Sequence, residues 1–430
     1  MKQKGLLATI AVLLIILAGM GVFISNIDEP IKTEEVKSDD DLDISFGNIT
    51  SFNEAVNAFA FNFYKKFHND PEKTGNLFNS PYSIFTALAM TYEGARGVTA
   101  EEMKSVLNID QDNESFHQYM QTLYTYLNEN SEYNISTANA LWPSIDYTML
   151  PEYVDVIETF YGGKVTEIDY SDPAAAAEII NTWVEEQTNN LIQDLIPESS
   201  IDPDMTRLIL TNAIYFKGDW KIQFDKDNTT DRDFTTSSGQ IIQAQTMQLV
   251  ETEDVFNYTE GEKYQVLELP YNGDETSMMI FLPKDGYDLS DVINSMDKDS
   301  YSQNIDSMSS KQVDTYIPKF EIKTPLYNLN DYLKNLGMQT VFTNAADLSG
   351  LDGIGLLCIS DVLHKAYIKV NEEGTEAAAA TAVITKLTSV DPGDEPARTV
   401  FDCDHPFFFT IHHKETNTVL FMGNIQNPLE

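Results

Sequence analysis

Phe52, Val56, Phe59, Ala60, Phe63 and Phe67 recur at three- and four-residue spacing, which predicts a helix with one apolar face, ended by Asp70-Pro71. Ser80 then precedes Pro81, and a proline at the first helical position loses no bond, so a helix capped by Ser80 is expected until Gly94 and Gly97. Thr99-Ala-Glu-Glu102 has the form of a capping box for the next helix. A strand over 135–142 and a helix before Gly163 follow. Ile179, Ile180, Trp183, Val184, Leu191, Ile192 and Leu195 mark an amphipathic helix over 174–195, closed by Pro197. Leu208 to Phe216 is an apolar run broken by Thr211 and Asn212, and a buried strand carrying such a pair needs partners for it. Short strands with proline or glycine punctuation are expected over 267–271, 277–283, 316–320 and 421–428, and the segment 360–370, with His364 inside it, alternates like a strand.

One stretch resists a single assignment. Asn371-Glu-Glu-Gly-Thr-Glu-Ala-Ala-Ala-Ala-Thr-Ala-Val-Ile-Thr-Lys-Leu-Thr-Ser389 combines four alanines, the best helix formers, with β-branched Val383, Ile384 and Thr385. One reading is a surface helix capped by Thr375. Written instead as a strand, one face carries Thr375, Ala377, Ala379, Thr381, Val383, Thr385 and Leu387, while Glu376 and Lys386 fall on the other. The uncharged face could be laid on a core without burying an unpaired ion. Fourteen residues of strand from Thr375 would be about 45 Å long at roughly 3.3 Å per residue, so only a very tall sheet could accept it.

The N-terminus reads as a targeting element. Lys2 and Lys4 precede an apolar run from Gly5 to Ile24, with no charge until Asp28. That run is long enough to span a bilayer, so residues 1–25 are expected to be a cleaved signal peptide or a retained membrane anchor. Both place the bulk of the chain outside the cytoplasm, secreted or held on the outer face of the membrane. Residues 26–50 turn polar and acidic and are expected to form a disordered tether. A single domain is expected over 51–430. The 430 residues carry 27 basic and 68 acidic side chains, a net charge of −41, which argues against nucleic acid or anionic lipid as a partner. Such self-repulsion is tolerable in salty surroundings, a salt-adapted extracellular setting. Five Asn-x-Ser/Thr sequons, at Asn48, Asn113, Asn134, Asn228 and Asn257, fit export. Two cysteines, Cys358 and Cys403, exclude a disulfide scaffold; two buried thiols are expected, with one bridge as the alternative. There is no Gly-x-Ser-x-Gly elbow, His-Glu-x-x-His, phosphate loop or Cys-x-x-Cys, so neither an enzyme nor a cofactor or metal site is expected.

The stretch from Asn371 to Val383 resembles the hinge of the serpin reactive-centre loop, and Asp404-His-Pro-Phe-Phe-Phe409 resembles the segment that follows that loop. Asn79 to Met103, Asn181 to Ile192 and Tyr332 to Phe342 are similar to further serpin blocks, and the resemblance covers about residues 50 to 428. Where the family usually has Gly-Lys this chain has Asn190 and Leu191, and asparagine tolerates the left-handed turn. The resemblance implies an α+β serpin fold: a large, mostly antiparallel central sheet, further sheets, about eight to nine helices and an exposed reactive-centre loop near 372–400. It implies a hinge of Glu372, Glu373, Gly374, Thr375, Glu376, Ala377, Ala378, Ala379, Ala380 and Thr381, a shutter of Ser80, Ser83, Asn212 and His364 behind the sheet, and Trp220 at the breach where the loop enters. It also implies a metastable, monomeric suicide inhibitor that forms a covalent complex with a serine or cysteine protease; the alternative within the family is a non-inhibitory binding or structural protein. Counting along the loop puts the reactive bond at Thr388-Ser389, with Leu387-Thr388, Lys386-Leu387 and the more distant Arg398-Thr399 as alternatives.

Overall fold

The computed structural model describes residues 46–110, 113–128, 133–375 and 398–430. The segment 1–25, most of the tether, Glu376 to Thr381 of the hinge, and the bait candidates Lys386, Leu387, Thr388 and Ser389 lie outside the described residues.

The first helix, Phe46–His68, begins before its apolar periodicity does, and its Val56, Phe59, Phe63 and Phe67 are fully buried. Helix Pro81–Gly94 is capped as its sequence predicts: Ser80 Oγ accepts the Ser83 N–H at 3.2 Å. Twelve of its fourteen residues are buried, because it lies beneath strands Tyr133–Pro143, Leu208–Asp219 and Thr418–Ile425. Gly94 is its last residue, and no larger residue fits there, since a Cβ would collide with the Leu351 side chain.

Two local expectations fail. Thr99 and Glu102 form no capping box: helix Gly97–Leu107 opens at Arg96 without a side-chain cap. Thr99 Oγ1 instead accepts the Asp347 N–H at 2.9 Å, and Glu102 accepts the Gln339 and Thr340 N–H groups at 2.9 and 2.6 Å. The same residue types that cap a helix here pin a neighbouring segment. The helix expected to reach Leu195 stops at Gln187, because Asn189 and Asn190 both adopt left-handed φ, 50° and 62°. Ile192 and Leu195 then cover the sheet from irregular backbone, which helical spacing had taken for one continuous face.

Ten α-helices are present among the described residues. That exceeds the eight to nine expected because Asp288 and Asp297 each open a capping box, dividing Leu289–Ser295 from Lys298–Asp306, and because Ser349–Asp352 adds a single turn. The strands form a seven-stranded antiparallel sheet, a four-stranded sheet and a central sheet. In the central sheet Tyr133–Pro143 pairs antiparallel with Leu208–Asp219, and the next strand, Asp361–Val370, runs parallel to Leu208–Asp219. Seven register pairs, from Asp361↔Ile209 to Tyr367↔Tyr215, join these two parallel strands. Above them the two-residue strand Gly374–Thr375 wedges in, antiparallel to both. Cys358 and Cys403 are unbridged; Cys403 is buried, and burial pushes its thiol well above the ordinary range, but Cys358, expected to be buried as well, is only half-buried.

Candidate functional site

Asn212 and His364 are register partners across the parallel junction, and Asn139 is the partner of Asn212 on the other side. Their side chains make one buried polar row over the start of helix Pro81–Gly94. Ser80 donates its N–H to His364 Nε2 at 3.3 Å and its Oγ to the Leu420 carbonyl at 2.6 Å. Because a backbone N–H can only donate, His364 Nε2 is the acceptor, so the ring proton sits on Nδ1 and is donated to Asn212 Oδ1. Asn212 Nδ2 donates to Ser83 Oγ and Asn139 Oδ1, and Ser83 Oγ donates to Asn139 Oδ1 at 2.9 Å. Burial holds the His364 ring far below its ordinary value, at about 3, so it is neutral here. The structure thus brings together Ser80, Ser83, Asn212 and His364, and adds Asn139, which sequence reasoning missed: one asparagine in a strand carries no signal until its cross-strand partner is known. The second residue of the polar pair, Thr211, accepts from Trp142 Nε1 at 2.8 Å.

At the top of the same strands the hinge is fastened from several sides. Asn371 Oδ1 accepts the N–H groups of Glu373 and Gly374 at 2.9 and 3.2 Å, a turn that aims Gly374–Thr375 back between the strands. Trp220 donates its Nε1 to the Asn371 carbonyl at 2.9 Å and its N–H to the Glu373 carbonyl at 2.8 Å, and Phe224 N–H donates to the Glu372 carbonyl at 2.9 Å. Gly374 has no alternative residue type, since a Cβ would collide with the Gly218 carbonyl. Glu372, nearly buried, accepts from Thr229 Oγ1 at 2.8 Å and pairs with Lys319 at 3.0 Å, while Glu373 pairs with Lys226. Burial pushes the Glu372 carboxyl up, but a backbone hydrogen bond together with the Lys319 and Thr229 contacts outweighs it and holds the group below its ordinary value. Thr375 is fully buried and its Oγ1 lies 2.7 Å from Tyr271 Oη. Lys226, Thr229, Lys319 and Tyr271 were not singled out from the sequence; Tyr271 stood only as the end of a short strand.

On the far side of the loop Arg398 is half-buried: its Nε donates to Asp314 at 2.8 Å and its Nη2 to the Thr252 carbonyl at 2.8 Å. From there the Thr399–Asp402 strand runs along the four-stranded sheet. The segment between Thr375 and Arg398 therefore connects a slot in one sheet to the edge of another.

A family model described as serpin (serine protease inhibitor) matches residues 54–428. The chain belongs to the serpin family. It is 41% identical over 377 residues to an uncharacterised serpin-like protein of Thermococcus kodakarensis, covering 87% of this chain and 85% of that protein. To Serpin B3 of Homo sapiens it is 36% identical over 399 residues, covering 88% of this serpin and all of the relative. Among solved structures, human thyroxine-binding globulin complexed with thyroxine is similar at a TM-score of 0.79 and 29% identity, covering 89% of this serpin and 100% of that chain.

Proposed function

We propose that this serpin is an inhibitor of serine-type, and alternatively cysteine-type, endopeptidases that acts outside the cytoplasm as a monomeric suicide substrate. The observation that carries this reading is the Gly374–Thr375 wedge, which pairs with two strands that are otherwise joined directly to each other. If the loop continues into that slot, one parallel junction becomes two antiparallel ones, which adds a strand's worth of hydrogen bonds and exchanges a weaker ladder for stronger ones. The free energy of that exchange is what the uninserted state stores.

The register at the wedge can be extended residue by residue. One step beyond Thr375, Glu376 meets the residues one step before Gly218 and Val370, which are Lys217 and Lys369. Six steps beyond, Thr381 meets Asn212 and His364. The acidic residue of the inserting stretch falls between two lysines, and a hydroxyl falls on the polar row that must part to admit it. The residues around the slot fit a shutter role for Ser80, Ser83, Asn212 and His364 and a breach role for Trp220.

In the proposed reaction the protease nucleophile attacks the carbonyl of the bait residue, the peptide C–N bond breaks, and the new amine leaves with a proton, forming an acyl-enzyme. Insertion from Thr375 onward then outruns hydrolysis and carries the protease away. Thr388-Ser389 is the preferred bond, with Leu387-Thr388 and Lys386-Leu387 as alternatives. Arg398 is a poor bait because its guanidinium is engaged by Asp314 and the Thr252 carbonyl.

The test is to mix the purified protein with subtilisin, elastase, chymotrypsin and trypsin separately, then examine denaturing gels and weigh the released C-terminal peptide. A covalent band of summed mass with a peptide beginning at Ser389 is expected. Clean cleavage by every protease, without such a band and without a rise in melting temperature, would instead favour a non-inhibitory binding protein.

A further inference from the structure

Tyr271 belongs to a different sheet from the hinge it touches. It follows strand Tyr264–Pro270 of the seven-stranded sheet and forms an isolated antiparallel bridge with Trp220. Its backbone is fixed, with Tyr271 N–H on the Thr276 carbonyl at 3.0 Å and Asn272 N–H on the Asp219 carbonyl at 2.8 Å. Its ring stacks on Trp220 with centroids 4.5 Å apart and planes 12° from parallel, and meets Phe216 edge-on at 4.7 Å. Gly218 leaves the room for this: a Cβ there would lie 3.1 Å from Tyr271 Cδ1. Burial pushes the phenol well above its ordinary value, so it stays a neutral hydroxyl. That hydroxyl shares a 2.7 Å hydrogen bond with Thr375 Oγ1, the one side-chain hydrogen bond shown for Thr375 among the described residues.

We propose that Tyr271 is the positioning residue of the inhibitory reaction, holding Thr375 at the mouth of the slot so that insertion starts from a paired register rather than from a free loop. The inference rests on the inhibitory reading above. A rigid ring, carried at the end of a strand of one sheet and locked by packing on Phe216 and Trp220 of the slot's own sheet, presents a hydroxyl to the residue from which the inserted strand would grow. Without the hydroxyl, Thr375 Oγ1 is left unpaired in a dry site and the paired register loses roughly five- to tenfold in population, the equivalent of one buried hydrogen bond. Insertion then starts less often while hydrolysis of the acyl-enzyme is unaffected, so more inhibitor is spent as substrate. First cleavage of the loop does not involve Tyr271.

The experiment compares the wild type with Tyr271→Phe, Thr375→Ser and Thr375→Val in the full chain. Two readouts are taken: amide exchange at Gly374 and Thr375, and the ratio of cleaved inhibitor to covalent complex with a protease that the wild type traps. In Tyr271→Phe, exchange at the two amides and the cleaved-to-trapped ratio should each rise roughly fivefold, with the rate of loop cleavage unchanged. Thr375→Ser keeps a hydroxyl and should behave as wild type, whereas Thr375→Val should reproduce Tyr271→Phe, and adding Tyr271→Phe to it should change nothing further. A lower melting temperature with both readouts at wild-type values would mean that Tyr271 only packs, and would overturn the proposal while leaving the inhibitory reading intact. No covalent complex from the wild type with any of the four proteases would overturn both.

Discussion

His364 holds two strands together through one ring. It accepts from Ser80 N–H on one nitrogen and donates to Asn212 on the other, in a fully buried position. Burial lowers the ring to a value near 3, and a second ring proton would in addition point at a backbone N–H that is itself a donor. The consequence for stability has a definite sign. Because the folded value lies below the unfolded one, the stabilisation is complete above the ordinary histidine value of 6.5, and it is lost as pH falls toward 3, since the unfolded chain binds a proton that the folded chain refuses. The loss is at most about 1.4 kcal/mol per pH unit through that window. His413, lowered to about 4 by burial, adds to the same slope. Thermal melts between pH 7 and 4 should show a smaller fall for His364→Gln than for the wild type, and equal slopes would show that His364 does not titrate in this way.

At the scale of the element, the hinge is a strand held two residues deep. Thr375 is already inside, so the requirement for a small uncharged side chain applies before any protease arrives as well as during insertion. In Thr375→Arg a guanidinium would replace a fully buried hydroxyl beside Tyr271, a burial costing several kcal/mol. We expect this variant to be cleaved at the bait at a rate near that of the wild type yet to yield at least tenfold less covalent complex on gels, since about 1.4 kcal/mol already corresponds to tenfold. Complex at the wild-type level would refute the insertion route. The neighbouring carboxylates behave differently, because Glu372 and Glu373, although buried, are satisfied by Lys319, Thr229 and Lys226.

For the whole molecule the dominant quantity is charge. With 27 cations against 68 anions, most acids have no cation to themselves, and the ion pairs present among the described residues are mostly half-exposed and individually weak. Repulsion among the remainder is long-ranged at low salt and screened within about 3 Å at 1 M. The melting temperature should therefore climb by several degrees between about 0.1 and 1 M sodium chloride, against the opposite pull of weakened exposed pairs such as Lys221–Asp274. A flat or falling curve would remove the salt-adapted reading.

Legible in the chain were the features whose physics is local: the apolar face of the first helix, the Ser80-Pro81 cap, the left-handed tolerance of Asn190, and a face of the hinge free of charge. Resemblance of long motifs extended this to the fold, and it named Ser80, Ser83, Asn212 and His364 as one group, which hydrogen bonds link, and Trp220 as another, which lies against the hinge. Thr99 and Glu102 misled, because a capping pattern is the same pair of hydrogen-bonding groups whether it meets its own helix or a segment some 240 residues away. Asn139, Lys226, Lys319 and Tyr271 carried no local signal at all. Their roles depend on which strand lies beside which, and that is decided when apolar faces far apart in sequence are buried together, leaving each buried polar group to be satisfied by whatever the packing brings within reach.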